Sequence, residues 1–398
     1  MITIGRPRII NMSKKSRLES EINIDGKSNI IWFEVDEKYE KYLCYERSDA
    51  FVIAILNYAM RNGHDITCLA PMGEDLYYQI TTYLIDAVYK GSKKLHNTII
   101  NTDIDSSILI TAHAVGTGIS CGIDSFHVLS HHTHTRLKKH NITHLAFNNV
   151  GSHGEADRAL KLYDERKKLV ENFAKEYEFE LVDSNSNIHD VFPQNHLLTH
   201  TYTSTFAIYA LQKLYSIYYY ASSDSFFEFS LKDNADKGTG FYDLLLTSMF
   251  SNRSLIIYSE GGTLSRLEKT KRVAEYTPSY KYLNVCTVTN ENCNKCEKCI
   301  RTLLALDALE KLDLYKEVFD INYYKSHRQE YYARMMIYVV KKNQNHIELY
   351  ALLKNKVSLK AKIIGIIVQP TIYIVILYVP KILKPTLKKI YYFFKNIQ

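Results

Sequence analysis

The stretch that most constrains this chain is Ser120-Cys121-Gly122-Ile123-Asp124-Ser125, which follows the small and apolar run 114–119 and precedes a segment of helical character from Phe126. A strand that ends in a small-residue turn and opens a helix aims several backbone N–H groups, and the positive end of the helix dipole, at one point. That point favours an anion. Gly122 lets the backbone approach phosphate oxygens, Ser120 and Ser125 carry hydroxyl donors, and Asp124 is tolerated beside phosphate only with a cation between them. A Mg²⁺-bound nucleotide meets all four demands. An ordinary strand-to-helix turn with a capping serine would use the same residue types.

A second constraint lies downstream. Cys286, Cys293, Cys296 and Cys299 gather four of the seven cysteines into one short segment, with two Cys-x-x-Cys turns sharing Cys296. Four thiolates at this spacing can close a tetrahedral Zn²⁺ site; paired disulfides are the alternative. Residues 1–28 are mostly polar and show no basic-then-apolar leader. The expectation is therefore a cytoplasmic body, where thiols and zinc thiolates persist. Cys44 and Cys68 read as small buried hydrophobes.

Both stretches resemble a known family. SCGIDS resembles the SGGxDS pyrophosphate loop of the N-type ATP pyrophosphatases, which cleave ATP between its α and β phosphates and adenylate an acyl or carbonyl oxygen. The four cysteines, followed by Arg301, resemble the zinc knuckle of the 7-cyano-7-deazaguanine synthases within that superfamily. The resemblance implies an α/β fold with a doubly wound parallel sheet of the adenine nucleotide alpha-hydrolase-like type. It implies ATP held by Ser120, Cys121, Gly122, Ile123, Asp124 and Ser125, Mg²⁺ oriented by Asp124, and structural Zn²⁺ on Cys286, Cys293, Cys296 and Cys299. Cys121 departs from the family, which has glycine there. Either its backbone has negative φ or ATP binding is weakened. The resemblance begins at the loop and does not cover residues 1–106.

The rest of the chain alternates strand-like and helix-like segments, as a doubly wound sheet requires. Strands are expected at 30–35, 65–69, 98–102, 143–148, 178–182, 218–221 and 256–259. Helices are expected at 49–61, 74–89, 155–176 and 200–215. The turns Gly151-Ser152-His153-Gly154 and Asp183-Ser184-Asn185 are expected to face the same crevice as the loop, with the polar runs 222–225 and 232–240 near its mouth. Arg266 and Lys269, three apart on a helix, share a face and are candidates to hold leaving pyrophosphate. His127, His131, His132 and His134 have no local carboxylate or cysteine beside them, which argues against a metal role. The expected domains are an N-terminal α/β unit over 1–106, a nucleotide-binding domain over 107–312 with the knuckle at 286–299, and a helical region over 313–398.

Charge and hydropathy place the partners. The formal net charge is +7, yet residues 351–398 alone hold nine lysines and no acid, so the remainder is close to neutral and does not read as a nucleic-acid surface. Residues 363–379 are almost wholly apolar, broken by Gln369-Pro370 and flanked by Lys360, Lys362, Lys381 and Lys384. This pattern admits a peripheral membrane contact through residues 356–398, or a docked helix in a homodimer. The expected reaction is ATP-dependent adenylation of a carboxylate or amide on a small-molecule or precursor substrate, followed by attack of ammonia or another nitrogen nucleophile. Asp124, Arg266 and Lys269 are its expected catalytic residues. Sulfur transfer to a nucleobase and non-catalytic nucleotide binding are the alternatives.

Overall fold

The computed structural model describes residues 1–151, 156–232 and 234–368. It forms two compact units: Met1–Ser120 with His131–Thr263, and Cys121–Ser130 with Leu264–Gln398. These units run across the boundaries expected at 106/107 and 312/313. The reason lies in the strand pairing.

The strands are β1 Ile2–Ile4, β2 Arg8–Met12, β3 Lys15–Ile24, β4 Lys27–Asp36, β5 Ile66–Cys68, β6 Met72–Gly73, β7 Ile100–Asn101, β8 Ile104–Asp105, β9 Ala114–Gly118, β10 His144–Asn149, β11 Glu180–Ser186, β12 Tyr215–Ala221 and β13 Ile256–Glu260. Eleven of them form one sheet in the order β13-β12-β9-β10-β11-β4-β3-β1-β5-β7, with β2 added on β3. Pairing is parallel from β13 through β11 and again across β1, β5 and β7. It is antiparallel where β11 meets β4, as Ser184 pairs with Val35, and through β3. The N-terminal residues are thus the continuation of the main sheet and not a separate α/β unit.

Residues 1–28, which read as polar chain, hold most of this extension. Asp25 and Gly26 have φ of 49° and 89° and turn β3 into β4 as a tight hairpin. Along β3, Leu18 and Ile22 are buried together with Ser16 and Ser20, whose hydroxyls bond to Glu40 Oε2 at 2.6 Å and Gly5 O at 2.9 Å. The buried serines mask the period-2 pattern. A similar correction applies to Asp183-Ser184-Asn185, which lie inside β11 and not in a turn after it. Of the Gly151-Ser152-His153-Gly154 turn, residues 152–154 lie outside the described residues.

Counted from β9, the five parallel strands β9–β13 stand in the order 3-2-1-4-5, so the order reverses between β9 and β12. Crevices in open parallel sheets form beyond the carboxyl ends of the strands at such a reversal. β9 leads directly into Ser120. Its sequence Ala-Val-Gly-Thr-Gly is small because bulky neighbours press on it: a Cβ at Gly116 would stand 2.6 Å from Tyr215 Cε1 and 2.8 Å from Tyr218 Cδ2.

The second unit is helical. Helix Glu297–Ala308 buries Leu303, Leu304 and Leu306, and its Asp307 carboxylate accepts hydrogen bonds from Tyr324 at 2.9 Å and Tyr332 at 2.7 Å on helix Ile321–Val340. Arg328 Nε at 3.2 Å and Lys356 Nζ at 3.6 Å offset its charge. At the far end, Leu359, Ile363, Ile366 and Ile367 are exposed. The apolar tail expected to meet a membrane or a second subunit lies mostly outside the described residues. Among the described residues no helix is long and apolar enough to cross a membrane.

Gly116→Ala is expected to lower the stability of the first unit by about 1–3 kcal/mol through overpacking. The single tryptophan, Trp32 on β4, reports unfolding of that sheet in urea. An unchanged midpoint would show that Tyr215 and Tyr218 yield freely.

Candidate functional site

The turn after β9 is built around Cys121. Its φ is 56°, the left-handed region that glycine enters freely and other residues enter at a cost of roughly 1–2 kcal/mol. The backbone therefore keeps the conformation glycine would give. The Cys121 side chain is fully buried, so it faces the interior and does not narrow the mouth of the turn. Burial pushes its thiol far above the usual range, which keeps it protonated and poorly nucleophilic. The Cys121 carbonyl accepts a hydrogen bond from the Asn284 N–H at 2.8 Å.

Helix Ile123–His132 then begins, with the N–H groups of its first turn directed back toward the turn. Gly122 accepts from Phe126 N at 3.0 Å and from Ser125 Oγ at 3.1 Å. Ser125 is buried and its hydroxyl is turned to that carbonyl, whereas Ser120 is exposed. Of the two expected hydroxyl donors, Ser120 is thus the accessible one.

Asp124 joins two cations of the second unit. Arg266 Nη1 lies 2.8 Å and Lys269 Nζ 3.2 Å from the same carboxylate oxygen, with only 2% of the Lys269 side chain exposed. Burial alone would raise the Asp124 pKa, but the two cations override it and hold the carboxyl below its ordinary value. A capping box sets the helix that carries them: Ser265 Oγ accepts from Glu268 N at 3.3 Å while Glu268 Oε2 accepts from Ser265 N at 2.8 Å. Arg266 and Lys269 consequently stand in the first turns of helix Arg266–Val273, where the macrodipole disfavours cations. Asp124 adds its negative charge to that of Glu268 in the same turn. The three residues expected from the sequence to act together are brought together.

The four cysteines converge as well. None is disulfide-bonded, their sulfurs all lie within 4.8 Å of one another, and Cys286 Sγ is 3.9 Å from Cys296 Sγ. Tetrahedral thiolates about 2.3 Å from a Zn²⁺ ion would be separated by nearly this distance. Backbone N–H groups already point at the sulfurs. Val288 and Thr289 donate to Cys286 Sγ at 3.4 Å, and Cys296 donates to Cys293 Sγ at 3.2 Å. The Cys296 thiol is pulled down to about 4, first by a hydrogen bond from Cys299. The donor set and its spacing fit a metal ion closed off from solvent ligands.

Two features were not legible in the sequence. Lys298, between the last two cysteines, stands where Asp124, Arg301 and Arg266 act on its charge; desolvation first, then the two arginines, hold its pKa below the ordinary value. No spacing rule links residue 124 to residue 298. In the first unit, Glu260 at the end of β13 bridges His131 Nδ1 at 3.0 Å and His132 Nε2 at 3.1 Å, and His132 stacks on Tyr219 with centroids 3.7 Å apart. His131 and His132 therefore do have a carboxylate, brought by the sheet from far along the chain. Ser222, expected at the site mouth, instead donates to buried Asp243 Oδ2 at 2.7 Å. Cys44 and Cys68 are buried, and burial pushes both thiols up to about 12.

No protein-family model matches the chain, and no match is found among the curated proteins or the solved structures.

Replacing Cys121 separates backbone from side chain. Cys121→Gly should keep the fold and be neutral or stabilising by up to about 1 kcal/mol, whereas Cys121→Val, β-branched at positive φ, should cost about 2–3 kcal/mol. Thermal unfolding of both variants reads this ordering, and a more stable valine variant would overturn it. For the knuckle, elemental analysis should find one zinc per chain. Cys296→Ser should lose most of the metal and destabilise the helical unit, since structural zinc is worth on the order of 10 kcal/mol in metal-folded peptides. A metal-free wild-type protein of full stability would remove the metal assignment.

Proposed function

We propose that the protein is an ATP-dependent adenylating enzyme whose turn Ser120–Ser125, opening helix Ile123–His132, binds the phosphates of ATP. The observation that carries this reading is the pairing of a glycine-like turn at a helix N-terminus with two cations, Arg266 and Lys269, on the acid of that same turn. In the proposed reaction a carboxylate or amide oxygen attacks the α-phosphorus, the bond to the bridging oxygen breaks, and pyrophosphate leaves with the electron pair. Ammonia or another nitrogen nucleophile then attacks the activated carbon. AMP departs and the nitrogen loses a proton.

The residues have distinct tasks in this reading. The turn's N–H groups and the helix dipole bind the phosphate chain, while Arg266 and Lys269 offset charge that builds on the departing pyrophosphate. Asp124 holds those two cations in place and is the acid that would hold Mg²⁺, which supplies further charge neutralisation on the phosphates. Cys286, Cys293, Cys296 and Cys299 would hold Zn²⁺ in a structural role, since four protein ligands leave no open coordination position. The buried, protonated Cys121 thiol weighs against the sulfur-transfer alternative.

The test is product identity. Purified full-length protein given ATP, ammonium and a panel of carboxylic acids should form AMP and pyrophosphate. Arg266→Met should lower that rate by a factor on the order of 10² or more. Formation of ADP and phosphate, or an Arg266→Met variant of normal rate, would sink the proposal.

A further inference from the structure

The metal knuckle and the nucleotide turn are joined through one residue. Asn284 uses its backbone N–H to hold the Cys121 carbonyl at 2.8 Å. Its side chain works on the knuckle: Oδ1 accepts from the N–H of Cys286, the first cysteine, at 3.2 Å, and Nδ2 donates to Asn290 O. Asn292 braces the same loop, accepting from Val285 N at 2.9 Å and donating to Leu283 O at 2.8 Å and Val318 O at 3.0 Å. The peptide that carries the Asn284 N–H is therefore fixed by the fold of the cysteine loop.

What it holds is a strained residue. Cys121 is non-glycine at φ 56°, a conformation that persists only where its surroundings over-determine it. Two states are open to the turn. In one, Asn284 grips the carbonyl and Cys121 is left-handed; in the other, the grip is lost and Cys121 relaxes to negative φ, turning the N–H groups that follow away from a common point. Metal on the four sulfurs favours the first state, because it fixes Cys286 and with it the loop that orients Asn284. An anion on the turn favours the same state.

We propose that Asn284 is a positioning residue that couples metal occupancy of the knuckle to phosphate binding at the Ser120–Ser125 turn. The proposal rests on the nucleotide reading above. By linkage, each ligand must strengthen the other by the same factor. No contact between metal and nucleotide is needed.

The experiment uses full-length zinc-loaded protein, with inorganic pyrophosphate and Mg-ATP as probes and a coloured chelator competing for zinc. Saturating Mg-ATP or pyrophosphate should raise zinc affinity, and zinc should raise affinity for the same probe, by a common factor of about 5 or more. Asn284→Ala should still bind one zinc and still bind the probe, with the factor reduced to near one. Asn284→Asp, which keeps the acceptor for the Cys286 N–H, should retain part of it. The zinc measurement is made on folded, loaded protein, so it stands even where the metal-free protein unfolds. A factor of one in the wild type, or an undiminished factor in Asn284→Ala, overturns the coupling while leaving adenylation intact. Failure of loaded wild-type protein to bind either probe overturns the nucleotide reading itself.

Discussion

An ammonium group shut away from water must have a counter-ion, and in the helical unit that requirement falls on Asp124. Lys269 is almost wholly enclosed and Arg266 nearly so, and one carboxylate oxygen serves both. Removing the acid leaves the enclosed Lys269 ammonium uncompensated; the cost stays below the ~3–5 kcal/mol of fully buried pairs, because 27% of the Asp124 side chain is exposed. Asp124 thus has a structural task whatever else it does. The arrangement nevertheless runs against local electrostatics, since both cations occupy the first turns of their own helix. A pair chosen for stability alone would be simpler to build from apolar residues of similar volume. Cations held at a helix start, with one acid for two of them, are suited to receive further negative charge.

The cysteine cluster has a matching constraint. Four sulfurs within 4.8 Å cannot all be charged without a metal, and cannot pack as thiols without wasting the N–H groups aimed at them. The loop spends an unusual amount of hydrogen bonding on holding this geometry. Besides Asn284 and Asn292, Asn294 donates to Asp320 O at 3.0 Å and accepts at its carbonyl from Tyr331 Oη at 2.6 Å. Asparagine suits the task because one side chain both donates and accepts, closing turns that have no regular secondary structure.

Legibility in the sequence followed the range of the interactions. The Ser120–Ser125 turn and the four cysteines could be read because their chemistry is set by neighbours a few positions away. Arg266 and Lys269 could be paired by helical spacing, and their meeting with Asp124 came only from the resemblance. The contact of Glu260 with His131 and His132 could not be read, because strand order alone decides that the end of β13 reaches those two residues. The Asp25-Gly26 hairpin did carry a local signal, but buried Ser16 and Ser20 hid the alternation of β3. Likewise Asp183-Ser184-Asn185 has turn composition yet continues β11, because β4 arrives to pair with it. Tertiary pairing overrides turn propensity where a strand edge is available.

The ten residues Cys121–Ser130 lie in the chain between two strands of the sheet but group with the helical unit. Their contacts explain this. Cys121 is held by Asn284, Asp124 by Arg266 and Lys269, and the Phe126 ring lies 5.9 Å from that of Tyr276. Backbone, charge and apolar contact all point the same way. A turn of this kind takes its conformation from residues more than a hundred positions later. The left-handed Cys121 shows the consequence: a local sequence that would relax in isolation is held by distant groups, so its state depends on whatever sets those groups. Strain at a turn then makes the turn answer to another part of the fold.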